Sequence, residues 1–367
     1  MLFTPLTNEA KQILDSMPNI VDRLFPVPAR FRASIPHAVA DLSQLLTAAR
    51  GSRQDSYLSD KVNLSAYLRY FFPWNLYRLG RLLPNLPFRL HSGDAIVDLG
   101  SGPLTFPIGL WISRPDLREK ALEFRCVDRS GSALEAGRQI LAALGNSTWK
   151  IKTIRDSLNA AIRGEKAALV SGLDVFNESY EHLPYNESLV PTAQKIARLL
   201  TSRATEKASF FIMEPGVPHS GEFISCLRNE LIEQQFAPVS PCTHSEKCPF
   251  REQKWCHFAF GTKDAPASLH TLSVAARIPK NRATLSFLFA GGEPGSDRDA
   301  RVLSDAFPVH NGQYGRYTCS RYGAVLITGK QQHIEQQESG SVVQLFRSPS
   351  HSDPKSNAFL SPEPEWR

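Results

Sequence analysis

Residues 94–106, DAIVDLGSGPLTF, constrain this chain more than any other stretch. Residues 95–99 form a short apolar run with strand character. The run enters Gly100-Ser101-Gly102-Pro103 and then a helix-compatible segment, residues 104–111. A strand that turns sharply through glycines lets the backbone approach a bound group closely, and the helix after it points free N–H groups at that group. In outline this is an adenosyl-cofactor loop, and the form DxGxGP is more specific than a bare GxG. The dinucleotide fingerprint GxGxxG is not met. A strand, turn and helix with no ligand is the competing reading, and the downstream pattern weighs against it.

From residue 94 strand and helix patterns alternate, so the fold class is α/β, a mainly parallel sheet with helices on both faces. Residues 124–127 read as the second strand, and Asp128 closes it 30 positions after Asp98. In this kind of fold an acid at the end of the second strand can accept hydrogen bonds from two ribose hydroxyls. Leu134, Arg138, Leu141 and Leu144 outline a helix that Gly145 stops. Residues 149–154 are a third strand, with Asp156 just beyond it placed to face an adenine. Residues 169–176 fit a fourth strand and 208–213 a fifth. The cofactor residues expected on this pattern are Asp98, Gly100, Ser101, Gly102, Asp128 and Asp156. No catalytic base can be named.

The 367 residues allow a good core and two or three units. No apolar run reaches about 18 residues, so no helical membrane span is expected. The first 30 residues carry Glu9, Asp15 and Asp22, which suits neither a signal peptide nor a transit peptide. A bacterial, cytoplasmic, monomeric protein is the expectation. The balance of 42 basic against 36 acidic residues gives +6, which favours a polyanionic partner.

Four segments are expected. Residues 1–90 look helical, with Leu64, Tyr67, Leu68 and Phe71 on one face. In this segment Lys61, Arg69, Arg78, Arg81 and Arg89 interleave with aromatics, a pattern that suits either nucleic-acid contact or an aromatic core with solvated arginines. Residues 91–240 form the sheet domain. Residues 241–330 form a cysteine-cluster and β-rich unit, in which Arg277, Lys280, Arg282, Arg298, Arg301, Arg316 and Arg321 offer a possible phosphate-binding face. Residues 331–367, rich in Gln, Ser, Pro and His, read as a disordered tail.

The sequence PCTHSEKCPFREQKWCHF, residues 241–258, holds Cys242, Cys248 and Cys256 with His244 and His257. Six cysteines in a chain this long do not suggest a secreted disulfide framework. Cys126 and Cys226 sit in apolar patterns and read as packed thiols. Three thiols in a polar, proline-bearing loop suit a soft metal or an iron–sulfur cluster instead. Their spacing matches neither zinc-ribbon knuckles nor a ferredoxin run. With Cys319 downstream they would make an all-thiolate site. Zinc with His244 or His257 in place of Cys319 is the rival, and chemistry alone leaves the two open.

Four stretches carry a resemblance: AYLRYFFPWNLYRL, DLGSGPLTF, MEPGVPHSGEFISCLR and PCTHSEKCPFREQKWCHF. Through them the chain resembles the methyltransferase-like proteins of the mitochondrial small ribosomal subunit and their bacterial relatives. The resemblance covers most of residues 60–330. It implies a class I, Rossmann-like adenosylmethionine-dependent methyltransferase fold with an inserted [4Fe-4S] cluster on Cys242, Cys248, Cys256 and Cys319. It also implies association with small-subunit ribosomal RNA during assembly of the immature subunit. One departure stands out. Asp174-Val175-Phe176-Asn177-Glu178 follows the fourth strand, so the (Asn/Asp)-Pro-Pro-aromatic pocket of many base-amine methyltransferases is missing. Two functions are therefore expected: a methyltransferase acting on small-subunit ribosomal RNA, or a non-catalytic iron–sulfur assembly factor that uses the cofactor structurally.

Overall fold

The computed structural model describes residues 1–47, 57–159, 164–185, 187–250, 255–292 and 299–367. Two sheets organise the chain. The first is built from β1 (Ala95–Leu99), β2 (Glu123–Asp128), β3 (Lys150–Arg155), β4 (Ala167–Leu173), β5 (Ala204–Glu214), β6 (Pro238–Ser240), β7 (Phe258–Gly261) and β8 (Arg282–Ala290). Its order is β3-β2-β1-β4-β5-β8-β6, with β7 also paired to β8. Strands β1 to β5 run parallel, and β8 lies antiparallel to β5.

Burial explains the strand sequences. β1 is covered at all five positions, so it reads as a continuous apolar run rather than an alternating one. Its side chains still alternate between two cores. Ile96, Phe124, Leu169 and Phe211 face one layer, and Val97, Val127, Val170 and Phe210 face the other. Edge strand β3 has no fully buried position and carries Lys150, Lys152 and Arg155, charges that discourage addition of a foreign strand. Cys126 and Cys226 are buried, one in each core.

The N-terminal helices cover one face. Helix Asn8–Leu24 packs there, as does a long helical run made of Lys61–Ala66, Tyr67–Phe71 and Phe72–Leu82. Asp60 caps the start of that run, accepting from the N–H groups of Val62 and Asn63 at 2.9 Å each. The middle segment is a π turn, with Phe72 N–H reaching back to Tyr67 C=O. Pro73, which has no N–H to close an α-helical turn, follows directly and accounts for the widened turn. Helix Thr105–Ser113 is buried at all nine positions beneath this run. Gly109 allows the approach, since a Cβ there would lie 2.5 Å from Leu79 Cδ1.

The unit boundary differs from expectation. Sheet one does not close within residues 91–240, because β7 and β8 come from the segment assigned to the β-rich unit. The reason is visible in β8, whose last six residues are all buried and can only sit inside a sheet with cover on both faces.

The second sheet contains β9 (Asp299–Val302), β10 (Phe307–Pro308), β11 (Tyr314–Ser320), β12 (Gly323–Gly329), β13 (Val342–Gln344) and β14 (Phe359–Pro362). Its order is β13-β9-β11-β12-β14, with β10 on β11. Residues 331–367 are therefore folded, which corrects the expected disordered tail. Their average composition is polar, but the few apolar residues are placed in one small core: Ile334, Val343, Leu345 and Trp366. Trp366 Nε1 donates to Thr328 O at 3.1 Å, and β14 pairs with β12. No helix among the described residues is long and apolar enough to cross a membrane.

Candidate cofactor cavity and thiol cluster

The sheet order reverses between β1 and β4, which opens a crevice at the carboxyl ends of the strands. A cavity of about 220 Å³ lies there, lined by Gly100 and Gly102 after β1, Asp128 at the end of β2, Asp156 after β3, and Asp174 and Val175 after β4. The loop is left-handed at Gly100 (φ +66°), Gly102 (φ +53°) and Leu104 (φ +55°). At Gly100 a Cβ would lie 2.2 Å from Val175 Cγ2, so only glycine keeps this edge of the cavity open.

Asp128 is held by two backbone donors. Gly102 N–H donates to its Oδ2 and Ser130 N–H to its Oδ1, each at 2.8 Å. Ser130 in turn caps helix Gly131–Leu144 by accepting from Ala133 N–H. Burial raises the Asp128 pKa, against the pull of the two N–H groups and Arg129. Asp156 stands at the exposed side of the cavity, its Oδ1 accepting from Ser157 N–H.

Asp98 and Ser101 are placed differently from expectation. Neither lines the cavity. Asp98 lies beneath the loop, 1% exposed, accepting from the hydroxyls of Ser101 and of Ser171 on β4. It braces the loop against the sheet. The reason is register: successive β1 residues point to opposite faces, and only the residues past the strand end reach the crevice.

Burial lifts the Asp98 pKa to about 7, with Ser101 and Ser171 opposing and the Asp128 charge adding. In the unfolded chain this carboxyl titrates near 4. Its folded value is raised, so its contribution to stability is complete below about pH 4 and is lost as pH rises through about 7. Asp98→Asn is expected to flatten the fall in stability between pH 5 and pH 8 by on the order of 2–4 kcal/mol. Chemical denaturation of both proteins at the two pH values reads this directly, and an unchanged slope would discard the assignment.

Two cavity residues were given no role from sequence. Tyr67 reaches the site from the π turn, and a helix interrupted just before Pro73 was the available signal. Asp174, left-handed at φ +50°, accepts from Asn75 Nδ2 at 3.3 Å and lies 4.0 Å from Arg78 Nη1. An acid directly after the fourth strand was its signal.

The thiols form the second site. Cys242 and Cys248 follow β6, Cys256 precedes β7, and Cys319 sits on β11. Burial pushes the Cys319 thiol well above its ordinary range, and the charges of Cys242, Cys248 and Cys256 push it the same way. Cys256 is raised by burial and by Cys242 and Cys248. The fold thus brings the four sulfurs within electrostatic reach of one another. Two cations serve the same spot. Arg228 Nε donates to Cys242 Sγ at 3.2 Å, and its Nη2 binds His244 O and Glu246 O. Arg301, 8% exposed, donates to Pro241 O and Gly340 O, and its charge partly opposes the burial that raises the Cys242 and Cys256 thiols. His244 Nε2 is 3.3 Å from Cys319 Sγ, and its Nδ1 is buried without a partner. Burial lowers the His244 pKa to about 4, so the ring is neutral. Among the described residues no group of three or more His, Cys, Asp or Glu side chains is already spaced as ligands to one metal ion.

The expected basic faces divide: Lys61, Arg89, Arg277 and Arg282 are exposed, while others are engaged within the fold. Arg69 pairs with Asp22 at 2.7 Å, Arg81 with Asp264 at 3.0 Å and Arg282 with Asp305. Arg301 and Arg316 are buried and bound to backbone carbonyls. Arg298 lies outside the described residues. A phosphate reaching the engaged arginines would have to displace partners already in place.

A family model described as the mitochondrial small ribosomal subunit Rsm22 matches residues 67–324. The chain belongs to the Rsm22 family. The Rsm22 match runs from Tyr67 through the glycine loop and all four clustered cysteines. Comparison with curated protein sequences returns no match. Among solved structures, a putative methyltransferase from Thermoplasma acidophilum is similar at 14% identity, covering 56% of this chain and 70% of that one, with a TM-score of 0.34. The magnesium protoporphyrin IX methyltransferase of Synechocystis, solved with bound SAM, is similar at 12% identity, covering 79% and 100%, with a TM-score of 0.33. At these scores the likeness is weak. The class I methyltransferase fold of this Rsm22 protein rests on its strand order and the family match.

Proposed function

We propose that this protein binds S-adenosylmethionine in the crevice above β1–β4 and acts on small-subunit ribosomal RNA while the subunit is assembled, in the cytoplasm of a bacterial cell. The observation that carries the reading is the Asp128 carboxylate, clamped by Gly102 N–H and Ser130 N–H beside a loop that only glycine keeps open. Asp128 would accept the ribose hydroxyls, Asp156 would face the adenine, and the backbone at Gly100 and Gly102 would pass close to the rest of the cofactor. When bound, the cofactor supplies an electrophilic sulfonium methyl group. Transfer from it needs mostly alignment and a dry pocket.

A [4Fe-4S] cluster on Cys242, Cys248, Cys256 and Cys319 is the second part of the proposal. The donor chemistry suits it: two segments supply four thiols, and the buried guanidinium groups of Arg228 and Arg301 would supply counter-charge for an anionic four-thiolate centre. Zinc held by three of the thiols and His244 is the alternative, favoured by the 3.3 Å contact between His244 and Cys319. A non-catalytic assembly factor that holds both groups structurally remains the alternative to methyl transfer.

Anaerobic purification with iron and sulfide analysis, combined with titration of S-adenosylmethionine, tests both sites. Stoichiometric iron and sulfide with saturable cofactor binding are expected. Zinc without sulfide would replace the cluster by the alternative, and failure of the cofactor to bind would sink the first part. A deletion strain that lacks one modification of small-subunit ribosomal RNA supports the enzyme. An unchanged modification map with defective subunits supports the scaffold.

A further inference from the structure

A second cavity, of about 470 Å³, adjoins the first. Tyr67 and Asp174 stand in the walls of both, so the two chambers share a partition. The second is walled by aromatic rings, among them Tyr70, Phe71 and Trp74, together with Asn177 and Lys280.

Three buried polar atoms of that wall have no hydrogen-bond partner, Arg78 Nε among them. The other two are an acceptor, Asn177 Oδ1, and a donor, Trp74 Nε1, which lies near the Tyr70 hydroxyl without a well-aligned bond to it. Their residues are 6% and 1% exposed. An orphaned buried donor or acceptor is destabilising, and a ligand that offers one N–H and one acceptor would relieve both. Asn177 is held in place by its surroundings. It lies in the short turn Phe176–Ser179, whose first N–H donates to the buried carboxyl of Glu214 at 2.8 Å.

The wall also carries charge. Arg78 Nη1 donates to Asn75 Oδ1 at 2.6 Å and lies 4.0 Å from Asp174, while its Nε has no partner. Lys280 stands over the rings of Trp74 and Tyr70, 5.2 and 5.8 Å from their centroids. Burial and the Arg78 charge lower its pKa to about 7, against the pull of Asp174, so much of it is neutral at physiological pH. A flat ring with hydrogen-bonding edges fits this wall of aromatic rings and buried polar atoms.

We propose that this chamber receives one unstacked nucleobase, whose N–H is taken by Asn177 Oδ1 and whose ring nitrogen or carbonyl oxygen is met by Trp74 Nε1–H. The aromatic walls would stack on its faces, as single bases are commonly held. A base taken out of its stack would suit an aromatic-walled pocket of about 470 Å³. The proposal deepens the reading of the neighbouring cavity as a cofactor site: the partition would place the base beside the cofactor.

The full-length protein, saturated with S-adenosylhomocysteine to fill the first cavity, is titrated with cytidine, uridine and guanosine by ligand-observed saturation-transfer NMR. A phenyl C-riboside, with the sugar and a flat ring but no hydrogen-bonding edge, is the comparison. At least one nucleoside is expected to bind about tenfold tighter than the phenyl riboside. Asn177→Ala and Trp74→Phe should each weaken that nucleoside by about five- to tenfold and leave the affinity for S-adenosylhomocysteine within about twofold. The proposal is overturned if no nucleoside outbinds the phenyl riboside, a comparison that needs no variant. It is also overturned if folded Asn177→Ala protein binds the nucleoside as tightly as wild type. If S-adenosylhomocysteine itself fails to bind, the cofactor reading falls, and the same titration without it still decides the second chamber.

Discussion

Cys319→Ser is expected to strip iron from the anaerobically purified protein and to lower its melting temperature by about 10 °C or more. Cys319 sits on β11, paired to Ala324 on β12 and to Arg301 on β9, inside the second sheet. The other three thiols lie between β6 and β7, which belong to the first. A centre bound by both segments ties one sheet to the other. Binding free energy at such a site is folding free energy, on the order of 10 kcal/mol or more for structural metals. The serine variant loses that term. It also leaves Arg228 and Arg301 without the anionic thiolates beside them, and unpaired buried charge is destabilising in its own right. Chelating the metal from wild-type protein should reproduce most of the effect. Unchanged brown absorbance together with an unchanged melting temperature would show that Cys319 is no ligand.

Asp128→Asn is expected to weaken S-adenosylmethionine binding by about 30- to 100-fold, read by calorimetric titration. A charge-assisted hydrogen bond contributes roughly 1.5–3 kcal/mol, and the carboxylate would lose its charge toward two ribose hydroxyls. The amide also turns an N–H₂ toward one of the two backbone donors that hold the carboxylate, so its orientation suffers as well. Because burial raises the Asp128 pKa, the wild-type site should bind more weakly in acid, where the carboxyl is protonated and accepts poorly. The asparagine variant should lack that acid dependence. Equal affinity of variant and wild type would remove Asp128 from the site.

The glycine loop and the strands around it were legible because their signals are local. Buried strands read as apolar runs, Gly145 ends the helix Gly131–Leu144, and Asp128 closes β2 as the pattern required. The site was legible in part. Gly100, Gly102, Asp128 and Asp156 line the cavity, while Asp98 and Ser101 brace the loop from below. Alternation along a strand says that Asp98 and Val97 face opposite ways, but not which way leads to the crevice. The tail was misread for a related reason. Mean polarity over a segment hides a single well-placed Trp366 and the backbone pairing that β14 finds on β12.

By itself the sequence determined an α/β chain with a glycine-turned loop after its first strand and a thiol-rich segment, because hydrophobic period and turn chemistry act between residues close along the backbone. Only the tertiary structure decided what lies beside what. It brought Cys319 to within 3.3 Å of His244, folded the last 37 residues onto a six-stranded sheet, and set Trp74 and Asn177 in the wall of one cavity. Spacing in sequence carries no distance once a chain has crossed its own sheet, so such meetings follow from packing alone.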